Sequence, residues 1–149
     1  MADRDVQAES STPAQWYCVV FGATLVLAGV FGFIANASFD VGDSLEGDEL
    51  LLFDVNGWHN VIHLLSGIFL LAVSRTNATA RLGAIGFGVV YGVVTLIGII
   101  DGEDVLGLIP VNAADNVLHI AIALLGILTG LMSKRSGVLG SGRADPSTV

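Results

Sequence analysis

The chain has 149 residues, 53% of them hydrophobic and 13% charged, with a mean hydropathy of +0.76. That apolar fraction exceeds what one water-soluble domain carries. Six basic against 14 acidic residues give a net charge of −8, which excludes nucleic acid as a partner and argues against an anionic lipid surface as the main ligand. The single cysteine, Cys18, permits no internal disulfide, and the length allows one domain, so any chemistry must sit in the membrane part.

A helix needs about 20 apolar residues to cross about 30 Å of hydrocarbon. Taken in chain order, the candidate spans are 16–35, 55–74, 82–100 and 116–132. The first and third contain no charge. The second carries Asn56, His59, Asn60 and His63 near its start, and the fourth follows Asp115 and contains His119, so their apolar parts are shorter. Unpaired backbone groups cost several kcal/mol each in lipid, so every run is expected as a helix. The expected fold is all-α: an integral membrane four-helix bundle over 16–132, built from two tandem helical hairpins, with tails at 1–15 and 133–149.

Basic residues mark the cytoplasmic side of a membrane protein. Arg4 is in the first tail, Arg75 and Arg81 flank the middle loop, and Lys134, Arg135 and Arg143 follow the last span. Both termini are therefore expected in the cytoplasm of a cell-membrane protein. Connections 36–54 and 101–115 hold no Lys or Arg and should face outward, loaded with carboxylates from Asp40 to Asp115. Ala35-Asn36-Ala37 resembles a signal-peptidase site, but Asp3, Asp5 and Glu9 outweigh Arg4 ahead of it, and the apolar stretch is longer than a usual signal core, so retention is expected. The acids from Asp40 to Glu49 lack calcium-loop spacing and read as hydrated charge. The acidic excess as a whole resembles proteins adapted to high salt.

The second and fourth spans open alike. Val55-Asn56-Gly57-Trp58-His59-Asn60-Val61-Ile62-His63-Leu64 aligns without gaps on Val111-Asn112-Ala113-Ala114-Asp115-Asn116-Val117-Leu118-His119-Ile120, 56 positions later. A weaker match 60 positions apart pairs Thr24, Ala28, Phe31 and Gly32 with Ala84, Gly88, Tyr91 and Gly92. Two parallel repeats about an axis along the membrane normal are expected. The ladders Thr24, Ala28, Gly32 and Ala84, Gly88, Gly92 are faces suited to close helix contact. Through such faces a second copy or another membrane protein is the expected partner, besides the bilayer itself.

At three- and four-residue spacing, Asn56, His59, Asn60 and His63 share one helix face, as do Asn112, Asp115, Asn116 and His119. His63 and His119 lie about 10 Å inside the helix starts, deep enough that they should turn inward and pair. Three uses are open. The cluster can hydrogen-bond between helices and cap their starts, which needs no ligand and is favoured. His59, His63, Asp115 and His119 can bind a transition metal, or His63 and His119 can ligate a haem from both sides. His63, His119 and Asp115 can instead relay protons or line a solute path. No nucleophile elbow, phosphate loop or dinucleotide fingerprint is present in the spans, so an enzyme reading has no named site. Trp16, Tyr17 and Trp58 fit interfacial anchors.

The elements Asn56-x-x-His59-Asn60-x-x-His63 and Asp115-Asn116-x-x-His119 resemble the prokaryotic membrane-protein family called domain of unknown function 4383, over about residues 16–132. The resemblance implies four spans and attention to His59, His63, Asp115 and His119. It implies no activity.

Overall fold

The computed structural model describes residues 11–102 and 104–133. Arg4, Glu103, Lys134, Arg135 and Arg143, and most of both expected tails, lie outside the described residues. Four helices dominate: α1 (Pro13–Ala35), α2 (Gly57–Val73), α3 (Asn77–Asp101) and α4 (Ala113–Met132). Each start is capped by a side chain that accepts from the first turn: Thr12, Asn56, Thr76 and Asn112. Such caps satisfy N–H groups that have no partner within the helix. Thr12 and Gln15 complete a reciprocal capping box, with Pro13 at the first helical position where its missing N–H costs nothing.

Helices α1, α3 and α4 are long and apolar enough to cross a membrane, while α2 has 17 residues. The stretch 55–74 is not helical throughout. Val55 ends a strand and Asn56 is an extended cap, so the helix begins at Gly57. In the fourth run the helix begins three residues earlier than expected, at Ala113, because Asn112 supplies the cap.

The two connections expected as hydrated loops both fold back on themselves. Strand β1 (Asp48–Leu50) pairs antiparallel with β2 (Phe53–Val55), and β3 (Asp104–Val105) with β4 (Ile109–Pro110). Their turns place Leu51 and Gly107 at φ near +60° (63° and 65°), a left-handed conformation that is comfortable for glycine and strained for leucine. The hairpins bury Val55, Val105 and Val111 over one end of the bundle. We call this the hairpin end, and the opposite one the tail end.

Packing is closest within α1–α2 and within α3–α4. Glycine makes that approach possible: a Cβ on Gly67 would lie 2.6 Å from Gly22 O, and one on Gly88 2.6 Å from Ala123 O. The two contacts correspond at 66 positions in the odd-numbered helices, Gly22 with Gly88 and Gly32 with Gly98, and not at 60. The ladder expected from Thr24, Ala28 and Gly32 is correspondingly misplaced. Thr24 and Gly92 are exposed, and the buried glycines of α1 are Gly22, Gly29 and Gly32. The core gathers Tyr17, Leu25, Leu70, Phe87, Tyr91 and Ile122 around α1 and α3. At the tail end Ala14 N donates to Ser133 Oγ (2.9 Å) and Tyr17 Oη to Ile122 O (3.0 Å). Among the described residues the backbones of α2 and α4 scarcely approach each other.

Overpacking a close contact of this kind costs about 1–3 kcal/mol. Gly67→Val and Gly88→Val should therefore each lower the thermal unfolding midpoint in detergent by several degrees. Gly86→Ala, whose new methyl meets nothing within 4 Å, should leave the midpoint unchanged or raise it.

Candidate metal centre

At the hairpin end the polar side chains divide into two sets. The first is a collar of Asn56, Asn112 and Asp115. Asn56 and Asn112 are not on the helix faces the spacing suggested, because both have extended backbone (φ −142° and −117°) and cap α2 and α4 from outside. Asn56 Oδ1 accepts from His59 N (2.9 Å), and its Nδ2 donates to Leu108 O in the other hairpin (2.9 Å). Asn112 Oδ1 accepts from Ala114 N (2.9 Å) and Asp115 N (3.1 Å), and its Nδ2 donates to Leu52 O (3.0 Å). Leu52 and Leu108 are 56 positions apart, like the two asparagines. The cross-links are reciprocal. Asp115 Oδ2 accepts from Asn112 N (3.0 Å) and from Asp54 N (3.1 Å), closing a capping box and latching β2 onto α4. A carboxylate accepting two N–H groups makes stronger hydrogen bonds than neutral pairs do.

Asn60 and Asn116 fill space left by glycine. Asn60 Oδ1 occupies the volume a Cβ on Gly32 would need, and Asn116 Oδ1 would stand 2.9 Å from a Cβ on Gly98. Asn60 Nδ2 donates to Asn36 O at the end of α1 (2.8 Å). These residues pack each even-numbered helix against its odd-numbered partner. Trp58 is half-exposed and its indole N–H donates to Phe39 O (3.2 Å).

The second set is histidine. His59 Nδ1 donates to Asp54 O (2.8 Å), which orients the ring and leaves Nε2 as the inward lone pair. That Nε2 accepts a hydrogen bond from His63 Nε2 (3.1 Å), one turn further along α2. From α4, His119 arrives with its ring edge-to-face against Tyr91 (centroids 5.1 Å apart, 89°). One nitrogen from each of His59, His63 and His119 lies within 4.8 Å of the others. His59 and His119 are 2% and 4% exposed. Asp115 stands outside this group, since its carboxylate is committed to the collar. Of the four metal-ligand candidates in the sequence, three converge.

These rings are poorly satisfied. His63 Nδ1 and His119 Nδ1 are buried without hydrogen-bond partners among the described residues. Buried polar atoms are nearly always paired, and leaving one unpaired costs about 1–3 kcal/mol. Three imidazoles suit zinc, copper, nickel or iron. Two nitrogens on one tetrahedral ion with bonds of about 2.0–2.1 Å stand about 3.3–3.4 Å apart, close to the His59–His63 separation. The His59 ring sits 4.3 Å from that of His63 and 6.3 Å from that of His119, centroid to centroid.

Two spaces lie at the hairpin end, and the first has cluster histidines in its wall. An apolar groove of about 660 Å³ runs between α1 and α4 under β1–β2, with His63, His119 and Asp115 in its wall. A polar recess of about 530 Å³ lies between the hairpins, lined by Asp54, Asp104 and Asn112.

Residues 15–132 match the family described as Domain of unknown function (DUF4383). The chain belongs to this family. No curated protein and no solved structure matches it. All four helices of this DUF4383 protein, but for the first two residues of α1, and the whole polar cluster fall inside the matched segment. The sequence reading missed Asp54, whose backbone serves both His59 and Asp115, the acceptors Leu52 and Leu108, and Tyr91 as the ring that holds His119. A signal for the two leucines was present. The 56-position alignment continues upstream, pairing Leu52 with Leu108, Phe53 with Ile109 and Val55 with Val111.

Removing a cap costs about 0.5–2 kcal/mol, and each lost partner of a buried group adds about 1–3 kcal/mol. Asn112→Ala should therefore destabilise the DUF4383 protein by about 2 kcal/mol or more in chemical unfolding. Asp115→Asn, which keeps the shape but loses the charge, should cost less than Asp115→Ala.

Proposed function

We propose that this chain is a cell-membrane protein that holds one transition-metal ion between its two helical hairpins, through His59, His63 and His119. The observation that carries the reading is His119, a buried imidazole whose Nδ1 has no hydrogen-bond partner among the described residues and one of whose nitrogens lies within 4.8 Å of two more histidine nitrogens. Asn56, Asn112 and Asp115 close their own hydrogen bonds, while Asn60 Oδ1 and Asn116 Oδ1 are buried without partners like the histidine nitrogens; what sets the histidines apart is that three ligand-type nitrogens converge on one point. In this reading the polar residues have two duties: the asparagines and Asp115 stabilise the bundle, and the histidines bind.

Further observations support it. The orientation of His59 by a backbone carbonyl is the arrangement that metal-binding histidines use to present the opposite nitrogen. The recess at the hairpin end, lined by Asp54 and Asp104, is negatively charged and attracts cations to that end. Placing Arg75 and Arg81 in the cytoplasm puts that end outside the cell, with both termini inside. The reciprocal Asn56–Leu108 and Asn112–Leu52 bonds support an origin as two parallel repeats. The protein is on this reading a binding protein, with no reaction assigned.

Metal analysis of the detergent-purified protein after equilibration with zinc or cobalt should give one ion per chain. Cobalt(II) should produce visible bands characteristic of tetrahedral nitrogen ligation. His59→Ala, His63→Ala and His119→Ala should each weaken binding by about 100-fold or more, since loss of an outer partner alone costs about 10–100-fold. Ion at about 100 times its Kd should stabilise the wild type by about 2.7 kcal/mol. If metal leaves the melting curve unmoved while His119→Leu lowers it, the histidines are structural and the reading is wrong.

A further inference from the structure

A three-histidine site leaves one position of a tetrahedral ion for something else, and the space beside these histidines is distinctive. The groove between α1 and α4 is built from Phe21, Ala28, Phe31, Leu118 and Ile122 along its length, and its polar side chains other than Thr24 are His63, Asp115 and His119. Thr24 turns its hydroxyl back onto Val20 O (2.9 Å) and offers the groove little polarity. Chemistry is thus concentrated at one end of an apolar trough.

The trough opens sideways. Its rim residues Leu27, Phe31 and Ile34 on α1 are exposed on a helix long and apolar enough to lie in hydrocarbon. Its roof is the β1–β2 turn, where Leu51 is 81% exposed in a left-handed conformation. A leucine held in a strained turn over an apolar groove offers a ligand an apolar lid. The volume falls within the about 300–1,000 Å³ of small-molecule sites.

We infer that the groove admits a single-chain lipophile from the bilayer, its tail along α1 and α4 and its donor-bearing head on the ion held by His59, His63 and His119. The inference rests on the metal reading above and names the ligand class for that same site: a membrane-dissolved molecule with one metal-ligating head group. Water-soluble ligands of the same head chemistry lack the contacts that α1 provides.

The test uses the cobalt-loaded full chain in nanodiscs, with dodecanohydroxamate and acetohydroxamate as probes that share a head and differ in tail. Both are titrated against the cobalt absorption bands, with their concentrations in the lipid phase measured by partitioning. The long-chain probe should bind at least ten times more tightly after correction for partitioning. Ala28→Trp and Thr24→Trp, which fill the trough from α1 and replace no histidine, should abolish that advantage while cobalt still binds. Either variant suffices if the other does not fold. Cobalt bands in the wild type with no corrected preference for the long chain, or a preference that survives the tryptophan, would overturn the inference and leave the metal reading standing. Absence of cobalt bands in the wild type would overturn both.

Discussion

In hydrocarbon a backbone N–H has no water to turn to, and the first turn of every helix has such groups to spare. The hairpin end of this protein is organised by that constraint. Asn56 and Asn112 each accept from the turn they begin, and with the remaining half of the amide each donates to a carbonyl of the opposite hairpin. One side-chain type thus starts a helix and ties two hairpins together. Asp115 extends the scheme by accepting from a strand and from its own cap residue. Beneath this collar lie the histidines, His59 held by the carbonyl of Asp54 and by the ring of His63.

The helices were legible because their signal is redundant: about 20 apolar residues in succession admit few other readings near a membrane. Their ends were less so. Val55 and Asn56 belong by composition to the second apolar run, yet they form the last strand residue and the cap, since an asparagine ahead of Gly57 competes for the backbone of the turn it precedes. The hairpins were illegible as strands because each is two or three residues long and alternates too briefly to register a period of two.

The histidine convergence was half legible. Spacing placed His59 and His63 on one face, and the repeated segment put His119 opposite. Spacing could not show that Asp115 would be drawn away, because the N–H of Asp54 that draws it belongs to a strand the sequence did not announce. Nor could periodicity find the register of α1 against α3. Glycines are abundant in both helices, and only the partners they touch, Gly67 with Leu71 and Ala123 with Ile127, reveal that Gly22 corresponds to Gly88.

The latch between Asp54 and Asp115 has a counterpart that cannot exist. Fifty-six positions beyond Asp54 stands Pro110, which has no N–H to give, and fifty-six before Asp115 stands His59. A carboxylate at 59 would face a strand with nothing to offer it. An imidazole, able to donate, instead finds the carbonyl of Asp54. One missing amide hydrogen thus breaks the equivalence of the two halves, and releases the position through which the molecule gains its third nitrogen.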